Sequence, residues 1–147
     1  MRSSNRAADR PPPGFAPVRG NSEFSILVGP FWEKLEAGRL YRGIRLEPRH
    51  SNRLGIAHGG LLLAFADTLL GASLRHALGS PRPAVTVKLS TDLMSAARVG
   101  EWLEGEAEVT QASGNLVFVR GRAYVGRRTV FTSEGVFQLL AARKRVD

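Results

Sequence analysis

One carboxylate, Asp67, lies inside the most apolar stretch of the sequence, which runs from Leu61 to Leu70. Burying an ionised carboxylate costs on the order of several kcal/mol unless the group is paired or hydrogen-bonded. One interpretation is structural, with the acid pairing with an arginine or capping a loop. The other is chemical, because a carboxylate kept dry and basic can attack a carbonyl or deprotonate the water that attacks it.

His58, Gly59 and Gly60 stand at the start of the helix that this apolar stretch predicts. The N–H groups of a first helical turn lack partners within the helix, and the helix dipole there favours negative charge. Two residues without side chains would let a substrate carbonyl approach those N–H groups, as in an oxyanion hole. Alternatively, the two glycines only permit tight packing at the helix start.

The spacing between the glycines and the acid sets a geometric limit. Eight residues of helix rise about 12 Å, so Gly59 N–H and Asp67 of one chain cannot bind the same carbonyl. Either the two groups have different tasks, or two copies of the chain share the site. A two-fold dimer with antiparallel helices would bring Asp67 of one copy opposite Gly59 of the other. For acyl-transfer chemistry, the spacing therefore predicts an obligate dimer.

The elements that must position these residues follow from the hydrophobic pattern. Residues 24–36 predict a short helix or loop that packs Phe31 and Trp32, and residues 40–47 alternate as a first strand. A single helix is predicted over 58–78. Four antiparallel strands are predicted after it, over 84–94, 101–110, 115–125 and 129–140, with Val85, Val87, Leu89 and Leu93 on one face of the first. The fold class is α+β, a meander that curls round one long apolar helix.

Composition bounds the remaining possibilities. Residues 1–20 hold four of the eight prolines and predict a flexible tail, which leaves residues 21–147 as the domain. The absence of cysteine excludes disulfides and thiolate chemistry. With neither a secretory signal nor an uninterrupted apolar stretch long enough to cross a bilayer, we expect a cytoplasmic protein without a membrane partner. The net charge of +8 has two interpretations. It is a bias of the composition toward arginine with no function, or it attracts a polyanion, either a nucleic acid or a phosphate-bearing small molecule.

A signature with fixed spacing begins at Asn52. Five residues separate it from His58-Gly59-Gly60, and six more residues separate that motif from Asp67. This pattern resembles the active-site signature of hotdog-fold acyl-CoA thioesterases, nearest to the phenylacetyl-CoA thioesterase (PaaI-like) branch. The resemblance extends over residues 40–140. It implies a curled antiparallel sheet wrapped round a central helix, and dimers with one continuous sheet that often pair into tetramers. It also implies an acyl-CoA substrate and no metal or other cofactor.

The resemblance also implies roles for individual residues. The Gly59 N–H would polarise the thioester carbonyl, and Asp67 of the partner subunit would act as nucleophile or general base. Asn52 would position the water or the carboxylate, while His58 would support the turn. Thr86 falls near the attacking water, although an inward strand threonine with a satisfied hydroxyl is an equal alternative. Further candidates for substrate binding are Gly60, Thr68 and, for the CoA phosphates, Arg98, Arg120 and Arg122.

Hydrolysis of an acyl-CoA thioester is therefore the expected activity, with two alternatives on the same scaffold. One is an acyl-thioester hydratase or dehydratase, and the other is a non-catalytic acyl-CoA-binding protein. A nucleic-acid binder is not expected, because interleaved exposed aromatics and a recognition motif are lacking. The three histidines, His50, His58 and His76, do not form a credible metal-ligand set. Two features depart from the family pattern, namely Lys88 and the absence of a proline from the loop 94–100. The identity of the acyl group is therefore not predicted.

Overall fold

Two α-helices and seven β-strands follow one another along residues 10–142, the part of the chain that the computed structural model describes. The helices are α1 (Glu23–Val28) and α2 (Gly59–Leu78), and a 3-10 turn spans Pro48–His50. The strands are β1 (Ala16–Pro17), β2 (Trp32–Glu36), β3 (Arg39–Arg45), β4 (Ala84–Leu93), β5 (Trp102–Ser113), β6 (Leu116–Val125) and β7 (Arg128–Leu139).

All seven strands form one antiparallel sheet in the order β1-β2-β3-β5-β6-β7-β4. Helix α2 packs against the concave face of this sheet and contacts five of its strands. Strand β4, which follows α2 in the chain, pairs with β7 and ends the sheet at one side. The predicted architecture, a curled antiparallel sheet round one long helix, is confirmed. The predicted meander of the four strands after the helix is wrong for its first strand, because β4 pairs with β7 and not with β5.

Three glycines let α2 approach the sheet closely. A Cβ on Gly105 would lie 2.6 Å from Leu69 Cδ2, and one on Gly121 or Gly135 would lie 3.0 Å from a methyl group of Leu70. Since Leu69 and Leu70 are fully buried, these glycines form a diagonal trough that seats the helix. Seating the middle of α2 in this way also fixes the position of Asp67, which lies two residues before Leu69.

Both ends of α2 are capped by local contacts. The side chain of His58 accepts a hydrogen bond from Gly60 N–H at 2.8 Å. At the other end Gly79 adopts the left-handed conformation, with φ of 56°, and its N–H donates to the carbonyl of Arg75. These caps satisfy backbone groups that a helix end leaves without partners and define the twenty-residue length of α2.

By length and mean hydropathy, α2 is sufficient to span a bilayer, which corrects the sequence-based reading of this stretch. Asp67 interrupts the apolar run, but the apolar residues beyond it restore the mean. Half of the most apolar window is buried inside the described structure. The high hydropathy of α2 is that of a core helix packed against a sheet.

The prediction of a helix or loop over residues 24–36 is wrong for its second half. Residues 23–28 form α1, whereas Trp32–Glu36 is the strand β2 and pairs with β3 from Trp32↔Gly43 to Glu36↔Arg39. Phe31, immediately before this strand, is buried as expected. Such a short strand has little alternation of its own, so its pairing with β3 decides its conformation.

The predicted common face of Val85, Val87, Leu89 and Leu93 is also wrong. An irregularity between Thr86 and Lys88 shifts the register of β4 against β7. Thr86 is opposite Phe137 and Leu89 is opposite Gly135, both of which face α2, whereas Val85 is opposite the exposed Gln138. A bulge adds a residue and reverses the alternation of faces. It therefore turns Thr86 toward the helix.

Part of the predicted tail lies against the sheet. Ala16 and Pro17 pair with Glu33 and Trp32, and the ring of Phe15 packs edge-on against Trp102 at 5.0 Å. Residues 1–9 lie outside the described residues. The division of the chain at residue 20 stays a prediction.

Candidate active site

Asp67 and Thr86 are joined by a hydrogen bond between the helix and the edge strand. Asp67 is half-buried in the middle of α2, and its Oδ1 accepts from Thr86 Oγ1 at 2.6 Å. A hydroxyl donor at this distance stabilises the ionised carboxylate and fixes its orientation. It leaves Oδ2 of Asp67 without a side-chain partner among the described residues.

A cavity of about 1000 Å³ opens beside this pair. Its walls are α2 from Asp67 to His76, the start of β4, and residues 14–25 of the N-terminal segment. Thr68 also lines it, although its hydroxyl donates back to the carbonyl of Phe65 at 3.0 Å. Ligand cavities for small molecules reach about this size, so the space is large enough for an acyl group.

Arg42 supports the helix immediately behind Asp67. It is buried on the inner face of β3, where Nη1 donates to the carbonyl of Thr68 at 3.2 Å and Nη2 forms an ion pair with Glu33. Burial lowers the pKa of Arg42, Glu33 opposes this effect, and nearby Arg75 adds to it. Arg42 therefore ties β2, β3 and α2 together at the floor of the cavity.

The start of α2 presents backbone donors that have no partner among the described residues, and Gly59 N–H is the first of them. Gly60 N–H is occupied by His58 Nδ1, so the ring nitrogen is an acceptor and carries no proton. No hydrogen-bond partner for Gly59 N–H is present within residues 10–142. Gly59 thus provides an N–H at the positive end of the helix dipole. Gly60, also predicted to contact substrate, is committed to the cap in this structure.

Asn52 belongs to the same end of α2 as His58 and Gly59. Its Oδ1 accepts from Leu54 N–H at 2.8 Å, which closes the turn that precedes the helix. The predicted site residues therefore form two groups within one chain. Asp67, Thr68 and Thr86 line the cavity, whereas Asn52, His58, Gly59 and Gly60 lie about 12 Å away along α2.

Comparison with known proteins gives the family. The family model described as the thioesterase superfamily matches residues 54–132, which is more than half of the chain and includes Gly59, Asp67 and Thr86. A protein of Pseudomonas aeruginosa, whose name proposes an esterase activity, is 39% identical over 129 residues, covering 87% of this chain and 96% of that protein. The chain belongs to the thioesterase superfamily. The predicted family is thus confirmed.

Solved structures share the hotdog fold of this thioesterase-superfamily member. The BH2602 protein of Bacillus halodurans, solved with CoA, has a TM-score of 0.74 and 23% identity, covering 86% of this chain and 83% of that one. A protein of Ralstonia eutropha JMP134 described as phenylacetic acid degradation-related has a TM-score of 0.71 and 21% identity, covering 85% and 92%. Mouse thioesterase superfamily member 2 has a TM-score of 0.69 and 21% identity, covering 80% and 87%. At these identities the likeness establishes the fold.

The arginines chosen from the sequence for CoA phosphates lie away from the thioesterase-family cavity. Arg120 and Arg122 are on the outer face of the sheet, in ion pairs with Glu108 and Glu106. Arg98 is exposed in the loop after β4, and its backbone N–H donates to Glu101. None of the three lines the cavity that holds Asp67. Their contact with CoA stays a prediction.

Sequence reasoning missed the four cationic residues that do line this cavity, Arg19, Lys34, Arg42 and Arg75. A signal for Arg42 is present, because Leu40, Arg42, Ile44 and Leu46 occupy alternate positions and all four are buried. An arginine within an inward-facing apolar series requires a partner or a ligand. Arg75 is two helical turns after Asp67, with Gly71 between them, but helical spacing does not reveal the direction of a long side chain.

Proposed function

We propose that this thioesterase-superfamily member hydrolyses an acyl-CoA thioester to a free carboxylic acid and CoA. The observation that carries the proposal is the hydrogen-bonded pair of Asp67 and Thr86 at the wall of an acyl-sized cavity. The Bacillus halodurans structure with CoA, which has the same fold, supports CoA as the thiol portion of the substrate. The family membership supports the hydrolysis of a thioester.

The proposed chemistry begins at Asp67. As general base, the carboxylate removes a proton from water while the oxygen of that water attacks the thioester carbonyl. The carbonyl oxygen becomes an oxyanion that accepts a hydrogen bond from Gly59 N–H at the start of a helix. When the tetrahedral intermediate collapses, the carbon–sulfur bond breaks and the proton passes to the departing CoA thiolate. As nucleophile, Asp67 instead attacks the thioester carbonyl carbon, the carbon–sulfur bond breaks and the CoA thiolate departs, and water then hydrolyses the resulting mixed anhydride to the free acid and the Asp67 carboxylate.

We propose that two copies share each site, since one chain cannot bring Asp67 and Gly59 to one carbonyl. Strand β4 runs antiparallel to the first half of α2, with Thr86 bonded to Asp67 and Leu93 packed beside Gly59. Antiparallel pairing of β4 with its copy, about a two-fold axis between Leu89 and Ser90, brings Thr86 of one chain opposite Leu93 of the other. That pairing brings Asp67 close to the partner's Gly59.

The free edge of β4 supports this dimer. β4 has ten residues and stands at the end of the sheet, so its outer N–H and C=O groups have no strand partner among the described residues. Val85 and Val87 on this strand are 44% and 57% exposed. A long apolar edge is normally covered, because it pairs readily with another strand. A second copy would complete both the sheet and the site, and tetramers would form by pairing such dimers.

The test is the release of CoA thiol from a panel of aliphatic and aromatic acyl-CoA thioesters. We expect hydrolysis by the wild-type chain and a decrease in kcat of about 100-fold or more for Asp67→Asn. Glu134→Gln is the control, because Glu134 is an exposed acid on the outer face of β7, away from both the cavity and the free edge of β4. Hydrolysis of no member of the panel, or full activity of Asp67→Asn, would refute the proposal.

Oxygen-18 labelling detects the covalent route. In a single turnover in labelled water, a covalent anhydride attacked at the Asp67 carbon leaves label in the protein carboxylate. Water activation, like attack of water on the acyl carbon of the anhydride, puts label only in the released acid, so label in Asp67 establishes the covalent route. Mass spectrometry of the peptide that contains Asp67 reads out the difference.

A further inference from the structure

The cavity beside Asp67 carries an excess of positive charge. Among the described residues that line it, four are cationic, namely Arg19, Lys34, Arg42 and Arg75, and two are acidic, namely Glu33 and Asp67. An acyl group whose chain is a plain hydrocarbon gains nothing from this charge. The excess is therefore a property that the hydrolysis of a neutral acyl group does not require.

The excess positive charge of the cavity lies on two side chains that form no ion pair within the described residues. Arg42 pairs with Glu33, and Lys34 lies 3.4 Å from Glu36. Arg19 and Arg75 have no carboxylate within 4.0 Å in the part of the chain that the structure describes. These two guanidinium groups come from different walls of the cavity, the N-terminal segment and α2.

Arg75 extends back along α2 toward Asp67. A Cβ on Gly71 would lie 3.9 Å from Arg75 Nη1, so the guanidinium lies beside Gly71 rather than beside its own backbone. Gly71 is four residues after Asp67, a rise of about 6 Å. The absence of a side chain at residue 71 leaves the space between the carboxylate and the guanidinium open to the cavity.

We infer that Arg75, assisted by Arg19, binds a carboxylate carried by the acyl group, so that the substrate class is the CoA thioester of a dicarboxylic acid. This inference rests on the proposed function. Guanidinium groups bind carboxylates through two parallel hydrogen bonds, which fixes the orientation of the acyl chain. The phosphates of CoA are separated from the thioester by the long pantetheine arm. A guanidinium about one helical turn from the reacting carbonyl matches an anion on the acyl side.

The experiment compares thioesters of equal chain length with and without a terminal carboxylate. For the wild-type chain we expect a higher kcat/KM with adipoyl-CoA than with hexanoyl-CoA. Arg75→Gln should lower kcat/KM for adipoyl-CoA roughly tenfold to 100-fold and leave hexanoyl-CoA within about twofold. Arg127→Gln, which removes an exposed arginine between β6 and β7, is the matched control and should change neither. Equal loss with both thioesters, or no loss with either, would overturn the inference.

Thioesters of N-acetylcysteamine distinguish an acyl carboxylate from the CoA phosphates, since they carry no phosphate. The preference for the adipoyl thioester, and its loss in Arg75→Gln, should persist with them. If Arg75→Gln affects only the CoA thioesters, Arg75 binds a CoA phosphate and the inference is wrong.

A binding measurement separates failure of the inference from failure of the proposed function. If the wild-type chain hydrolyses no thioester, the proposed function fails, but the anion site can still be tested by calorimetric titration. Adipate should then bind more tightly than hexanamide, which has no carboxylate, and Arg75→Gln should abolish the difference. Equal binding of the two compounds to the wild-type chain would overturn the inference.

Discussion

Thr86 Oγ1 donates a 2.6 Å hydrogen bond to Asp67 Oδ1, which connects the edge strand β4 to the middle of α2. The β-bulge after Thr86 makes this contact possible, because it turns Thr86 toward the helix while Val85 faces outward. The same strand reaches Gly59 at its other end through Leu93. β4 therefore positions the carboxylate and, at its far end, lies beside the proposed oxyanion donor.

Removal of the Thr86 hydroxyl should impair the reaction without unfolding the protein. Thr86→Val keeps the shape but removes the donor to Asp67, and we expect kcat to fall roughly tenfold to 100-fold, as for loss of a hydrogen bond to a charged group. Thr86→Ser keeps the hydroxyl and should remain within a few-fold of wild type. Thiol-release kinetics measure both variants, and wild-type kcat in Thr86→Val would show that the bond does not orient Asp67.

A charge on the free edge of β4 should separate the two subunits. Val87→Glu introduces an anion into the proposed strand pair, opposite Asp92 in the proposed register, so we expect a shift toward monomer in sedimentation velocity and a parallel loss of activity. Leu116→Glu is the matched control, because it places the same charge on an exposed position of β6. A fully active monomer would exclude a shared site.

Tyr124 should make stability fall at high pH. Burial raises the pKa of the Tyr124 phenol, and the carboxylates of Glu104 and Glu106 add to the effect. The folded pKa exceeds the unfolded value of about 10, so this contribution to stability is complete below pH 10 and is lost as pH rises above it. In a Tyr41→Phe background, phenolate absorbance reports Tyr124 alone.

We expect the phenolate absorbance to appear at a higher pH than that at which a free tyrosine ionises. Its appearance should coincide with unfolding, as measured by circular dichroism. Replacing Tyr124 with Phe should flatten the decline of the free energy of unfolding in the same range. Ionisation of Tyr124 near pH 10 in the folded chain would contradict the effect of burial.

Much of the fold was predictable from the hydrophobic pattern. Residues 58–78 are apolar on nearly all sides and are bounded by glycines, and the four runs after them alternate with short turns between them. Strand β2 was not predictable, because its five residues have little alternation of their own and take their conformation from pairing with β3. The faces of Val85 and Leu89 were assigned wrongly because alternation carries no information about a bulge.

The site was predictable in its residue types and less so in its contacts. The interval from Gly59 to Asp67 indicates that two groups on one helix are too far apart to meet, and the structure places them on α2 accordingly. The contact of Thr86 with Asp67 depends on the bulge, and the direction of Arg75 depends on the space at Gly71. Both are products of tertiary packing that sequence spacing does not specify.

The central claim, that two copies share each site, can be tested by complementation between two inactive variants. Asp67→Asn removes the acid. Gly59→Pro removes the N–H at the first position of α2, where proline is tolerated, and His58 already has the extended conformation that a following proline requires. Gly59→Ala, which keeps the N–H, is the control for the added side-chain volume.

Asp67→Asn and Gly59→Pro should each be inactive alone, and subunits mixed in equal amounts by co-expression should regain activity. Half of the dimers are then mixed, and each mixed dimer has one site with both Asp67 and Gly59 intact, so we expect about a quarter of wild-type kcat. If the mixed preparation remains as inactive as the separate variants while forming dimers, the acid and the N–H of one site do not come from different subunits.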